Sequence, residues 1–208
     1  FDRAIQEFSD SAYPYFAKGY LIFHEATNKG RFAERKEAHF EEACRLFKTA
    51  LNKAYIENDG SNITLFQSDS ESSCASELIN NGDYLLRLDP PLNQDVFVFW
   101  RWLGRSFNEL GNHKAAKLAL LKAVGSFDKV INSDNSYRYY DLKPPGYLQA
   151  YSELAFTLNI LGEFEAANEA QKIAGHERNG YQGIIVKAYS LYRNGKKNLE
   201  QNHVEEGK

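Results

Sequence analysis

Arg101 and Arg105 are the side chains in this sequence best spaced for binding chemistry. Four residues apart on a helix, their guanidinium groups stack on one face. There they can hold a carboxylate or phosphate in a bidentate grip. Like charges at that spacing repel mildly, so an acidic group is expected to answer them. Either a ligand or a carboxylate of the chain itself, such as Glu153, fits that role. Catalytic patterns are missing. His24-Glu25 and His176-Glu177 open like a zinc-protease helix, but no second histidine follows at the fourth position. The histidines therefore read as surface or half-buried side chains rather than metal ligands. Cys44 and Cys74 form no CxxC pair; Cys44 lies on an apolar helix face and reads as core, Cys74 in a polar stretch as a free thiol. No GxxxxGK, GxGxxG or GxSxG run occurs. The expectation is no catalytic residue, no metal, no cofactor and no enzyme activity. Asn62-Ile63-Thr64 is a glycosylation sequon only if the chain is secreted, and otherwise a chance tripeptide. Ser68 to Ser73, rich in Ser, Asp and Glu, is either an acceptor for an acid-directed kinase or a solvated linker.

Composition bounds what can position those arginines. The chain has 208 residues, a net charge of −3 and two cysteines, which excludes a disulfide-dense mini-domain and argues against a nucleic-acid binder. No apolar run is long enough to span a membrane. A chain that opens on Phe1 and lacks Met reads as a trimmed or mature fragment, and its location as cytoplasmic. The aromatics stand out: 13 Tyr, 14 Phe and 2 Trp beside no Met, so rings must do most of the core filling.

Internal periodicity supplies the architecture. Trp100, Leu103-Gly104 and Phe107 mark one helix, Leu110-Gly111-Asn112 a glycine stop, and Ala116, Leu120 and Ala123 a second helix. Tyr151, Leu154-Ala155 and Leu158, then Leu161-Gly162, then Ala167 and Ala174 repeat that register. Gly104 to Ala116 and Ala155 to Ala167 are both twelve residues. Gln171 stands where a large apolar residue is expected. A third copy opens at Ile184 with Ala188, Leu191 and Asn194-Gly195, and its second helix, from about 196 to 204, reads as a cap or the start of a longer array. Nearer the N-terminus, Tyr15, Gly19 and Ile22 pair with Glu42-Ala43, Phe47 and Ala50 across a wider spacing, which requires longer helices or a longer turn. Small residues are expected where helices cross, large apolar ones between the crossings.

Two segments interrupt the array. From Glu57 to Asp95, eight acidic residues face only Arg87, a local charge of −7. Its Ser-rich start at 59–76 reads as a mobile loop, 74–88 as one or two short helices, and Asp89-Pro90-Pro91 as a stop. The second interruption, Ser133 to Gly146, holds Tyr137, Tyr139, Tyr140 and Pro144-Pro145. Phe127, Val130 and Ile131 carry the preceding helix into it.

The motif at 100–123, and less closely those at 151–174, 12–55 and 184–195, resembles the 34-residue tetratricopeptide repeat (TPR), with Asp128 where the family has proline. The resemblance implies an all-α fold: a right-handed superhelix of antiparallel helix pairs, about eight to ten helices in all. It divides a single domain 1–208 into a divergent pair at 12–57, an acidic loop with short helices at 58–95, a repeat at 96–132, an insert at 133–147, a repeat at 148–176, and a partial repeat or cap at 180–208. TPR arrays take up a peptide or partner helix on a concave face lined by first helices. Transferred onto this chain, that face holds Arg101, Trp102, Arg105 and Asn108, then Ser152, Glu153, Phe156 and Asn159, then Ile185, Tyr189 and Tyr192, with Phe16, Tyr20 and Phe23 extending it. Trp102, Phe156, Tyr189 and Tyr192 are the expected aromatic anchors, with packing between repeats as their other role. The carboxylate clamp of chaperone-binding relatives is largely missing, because Phe16, Tyr20, Ser152 and Phe156 stand at its positions. The partner expected is another protein or peptide carrying acidic groups, with no nucleic acid, and homo-oligomerisation stays open. The alternative is a recruitment or oligomerisation segment of a larger enzyme or assembly. A further possibility is that the acidic 57–95 segment folds over Arg101 and Arg105 as an internal competitor.

Overall fold

A computed structural model describes residues 1–28, 33–59, 65–66, 74–89, 94–133 and 145–175. Among them lie nine helices and no strand: α1 (Asp2–Glu7), α2 (Ala12–Asn28), α3 (Ala33–Asp59), α4 (Cys74–Asn80), α5 (Gly82–Arg87), α6 (Gln94–Glu109), α7 (His113–Ser133), α8 (Pro145–Leu161) and α9 (Phe164–Ala174). The chain divides into two compact units, Phe1–Tyr147 and Leu148–Lys208. Tyr137, Tyr139, Tyr140, Ser68–Ser73, Asn62, Ile185, Tyr189, Tyr192 and the third repeat copy lie outside the described residues.

The two glycine stops close in the same way. Gly111 (φ 73°) and Gly162 (φ 82°) take the left-handed backbone that glycine adopts without a steric penalty. Asn112 N–H donates to Phe107 O at 2.8 Å and Gly111 N–H to Asn108 O at 3.1 Å; Glu163 N–H donates to Leu158 O at 2.9 Å and Gly162 N–H to Asn159 O at 3.1 Å. This paired arrangement is a Schellman motif, which satisfies the last carbonyls of α6 and α8 and starts α7 and α9 within two residues. In the first case a packed helix hairpin results, α6–α7; in the second, α9 follows α8 through the same turn.

In the first unit α2 packs on α3, α6 on α7, and α3 on α6. Closeness comes from missing side chains. A Cβ on Gly104 would stand 2.7 Å from Leu120 Cγ, and one on Gly19 would stand 2.9 Å from Phe47 Cε1. Ala115, Ala116, Ala119 and Ala123 are fully buried along α7. The wide N-terminal spacing is accounted for by helix length, since α3 runs 27 residues and brings Phe47 back to Gly19. At the other end of that pair, Glu57 near the α3 C-terminus accepts a hydrogen bond from Ala12 N–H at 3.0 Å, capping α2 where a negative charge favours a helix start. Rings fill the remaining space: Phe23, Phe40, Phe47, Tyr55, Phe66, Trp100 and Phe107 are all buried, as is Cys44. Burial pushes the Tyr55 phenol up to about 12, with a smaller opposing pull from the Trp100 indole beside it.

The acidic segment is anchored where it is described. Leu65 and Phe66 are buried. Asn52 on α3 clamps Phe66 with its side-chain amide, donating to Phe66 O at 2.8 Å and accepting from Phe66 N–H at 3.0 Å. The Phe66 ring then lies 5.7 Å from Trp100 and 5.1 Å from Lys48 Nζ. The expectation of a mobile loop therefore does not hold at this dipeptide. A backbone amide pair with its donor and acceptor both met, plus an apolar anchor, outweighs the polar composition around it. Beyond it, α4 and α5 pack on α7. Lys48 pairs with Glu77 in a largely buried ion pair, and Lys122 donates to Leu88 O. Glu77 is thus turned toward Lys48, and Glu57 toward the start of α2, as part of the scaffold.

A buried pair is costly to break from one side. Lys48→Met should destabilise the chain by about 3–5 kcal/mol by removing the cation from the buried Glu77 carboxylate, while Lys48→Met with Glu77→Leu should recover most of that loss. Urea unfolding of both variants checks this.

Candidate functional site

The site is built on α2 and α6, which touch each other while each is held on its own partner helix. Residues 16, 20 and 23 of α2 and 102 and 105 of α6 recur at three- and four-residue intervals, so each set falls on one helix face. At their meeting point Trp102 is enclosed by rings. Tyr20 meets it edge-on with ring centres 4.8 Å apart, Phe23 lies at 5.1 Å and His24 at 5.4 Å. The Arg105 guanidinium stacks on Trp102 at 4.4 Å and also reaches Phe23 at 5.2 Å, and Arg101 lies 5.6 Å from the same indole. Edge-on ring pairs and guanidinium stacking are each favourable beyond simple area burial. Phe16 extends the row, 6.1 Å from Tyr20, 4.6 Å from Phe99 and 5.7 Å from Phe47.

Burial grades the members. Trp102 is 7% exposed and Arg101 8%, Arg105 is half-buried, and Tyr20 is 41% exposed. Trp102, expected either as a groove anchor or in packing, is mostly enclosed, because Tyr20, Phe23 and Arg105 close over it. Tyr20 is the most exposed member of the cluster, with Phe16, His24 and Arg105 half-buried beside it. Asn108 sits at the far end of α6 and meets His113 Nδ1 at 3.1 Å across the Gly111 turn. Burial lowers His113 from the usual histidine range.

The remaining candidates belong to the second unit. On α8, Ser152, Glu153 and Asn159 are buried and Phe156 is half-buried. Asn159 Nδ2 donates back to Ala155 O at 2.9 Å, and Thr157 Oγ1 to Glu153 O at 2.8 Å, so part of the polarity on this helix serves its own backbone.

His24, read from the sequence as a surface or half-buried histidine without a metal role, is half-buried and belongs to this cluster. It is four residues beyond Tyr20 and so shares its face, which is the signal that could have placed it. Its ring lies 4.3 Å from Tyr20, and burial, with Arg105 second, holds it below the usual histidine range. Among the described residues no group of three or more His, Cys, Asp or Glu side chains is placed to hold a metal ion, and no helix is long and apolar enough to cross a membrane.

No protein-family model, curated protein or solved structure matches this chain.

The graded burial has a measurable consequence. Trp102→Ala should cost about 3–5 kcal/mol of stability because it empties a closed ring cluster. Tyr20→Ala should cost about 1 kcal/mol, the scale of a single aromatic pair at an exposed site. Chemical denaturation of the two variants gives the comparison.

Proposed function

We propose that this chain is a non-enzymatic protein–protein interaction module, an array of TPR-like helix pairs that binds a peptide or partner helix on the face carrying Tyr20, Trp102 and Arg105. The observation that carries the reading is the cluster itself. Aromatic rings and a guanidinium converge from the first helices of two successive hairpin-like pairs, with a buried indole supporting an exposed phenol. Tyr, Trp and Arg are the side chains that dominate binding energy at protein interfaces. A rigid, pre-packed platform also limits the ordering cost of association.

Further support comes from the twelve-residue register behind the TPR resemblance. In α6–α7 it corresponds to a close approach, with a Cβ on Gly104 standing 3.4 Å from Ala116 O. The partner class follows from the platform. A segment with an aromatic or aliphatic side chain to lie against Tyr20, and a carboxylate on the Arg105 side, matches both its apolar and its charged parts.

The test is capture from an extract of the cells that make the protein. Immobilised chain should retain a partner, and Tyr20→Ala with Arg105→Glu should lower retention at least about tenfold, the loss expected when one anchor worth about 1.4 kcal/mol is removed. Glu165→Lys, on exposed α9 surface, should leave retention unchanged. Undiminished capture by a double variant with unaltered helical circular dichroism would overturn the assignment.

A further inference from the structure

His24 differs from the other ring residues of the α2–α6 cluster in one respect: its Nε2 is buried and meets no hydrogen-bond partner among the described residues. The imidazole lies 4.3 Å from Tyr20, 5.4 Å from Trp102 and 6.0 Å from Phe23. Its backbone carbonyl is taken by Thr27 Oγ1 at 3.0 Å, and the ring itself is held by packing alone.

The groups around it decide what a proton would do. From α6 come the cations Arg105 and Arg101, both stacked toward the same indole. On α2 itself the neighbours are the Tyr20 phenol and the exposed Glu25, the next residue in the chain. From α3, Phe40 packs on Phe23 with Lys36 over the Phe40 ring, another cation on that side. The ion pair of α1 with α2, Asp2 with Lys18, lies well over a turn away along the helix. A protonated imidazole can be stabilised by stacking on tryptophan, but Trp102 already carries Arg105 at 4.4 Å. An additional cation would therefore meet repulsion and a buried N–H without an acceptor.

We infer that His24 is a proton-sensitive switch in the α2–α6 contact: neutral, it packs against Tyr20 and Trp102; charged, it leaves that position and loosens the contact. The sign of the effect is fixed by linkage. The folded state holds His24 below its usual range, through burial first and Arg105 second, so the unfolded or opened chain takes up the proton more readily. The stabilisation is present above about pH 6.5, the ordinary histidine value, and is lost as pH falls through the lowered folded-state value. Tyr20 and Trp102 belong to the proposed docking face, so loosening would also change that face. This last consequence rests on the function proposed above, whereas the switch itself is read on the chain alone.

The experiment is an NMR titration of the full chain from about pH 8 to about pH 5, across the range where histidine changes charge. The His24 imidazole should titrate below the usual histidine value, and the Trp102 indole N–H resonance should shift with the same midpoint. His24→Gln should abolish that indole shift, and Arg105→Gln should raise the His24 midpoint. A His24 midpoint at or above the usual value, or an indole shift that persists in His24→Gln, would overturn the switch. Should His24→Gln fail to fold, Arg105→Gln decides, because an unmoved midpoint there refutes the proposed repulsion.

Discussion

The approach of α6 to α7 at Gly104 is the constraint on which the rest of the first unit turns. A Cβ there would stand 2.7 Å from Leu120 Cγ, so the two helices can be this close only because position 104 has no side chain. Trp102 is two residues earlier, about 200° around the helix, so seating Gly104 on α7 turns the indole away from α7. α2 is held in the same manner by Gly19 on Phe47, and it meets the outward face of α6. Two glycine contacts on two different hairpins thereby place Tyr20, Phe23 and His24 against Trp102 and Arg105.

The aromatic-rich composition follows from this arrangement. In a chain without methionine, rings fill the irregular gaps that a flexible thioether would otherwise take. Phe97, Phe127 and Tyr147 make one such row, with successive ring centres 4.8 and 4.9 Å apart, and the Tyr147 hydroxyl donates to Asp128 Oδ1 at 2.9 Å. The rings at Phe16, Tyr20, Phe23 and Trp102 form another, but this row reaches the surface. Its inner members carry most of the packing, and Tyr20, its most exposed ring, carries less. A division of labour between buried support and exposed contact is what a binding platform requires.

Much of the scaffold was legible in the sequence, because glycine stops and small-residue spacing act locally. Gly111 and Gly162 end helices where the pattern placed them, Gly104 meets Ala116 and Leu120, and Cys44 is core. The α2–α6 face was legible in outline: Tyr20, Phe23, Trp102 and Arg105 do come together. Their depth was not. Whether Trp102 is open or closed depends on how far apart two helices sit, and no residue spacing within one helix encodes that distance. The place of His24 in the cluster was hidden for a related reason, since it is packed in part by α6, whose Arg105 lies 81 positions away. The anchoring of Leu65–Phe66 was masked by polar neighbours, because one dipeptide clamped by Asn52 leaves no periodic trace.

The outward face of α2 and α6 is the face proposed to receive the partner. Hydrogen exchange of the chain, alone and with its captured partner bound, tests this most directly. Added protection is expected in peptides covering residues 16–24 and 101–108, with the α4–α5 segment unchanged. Protection confined to α4–α5, or spread without preference over the helices, would contradict it.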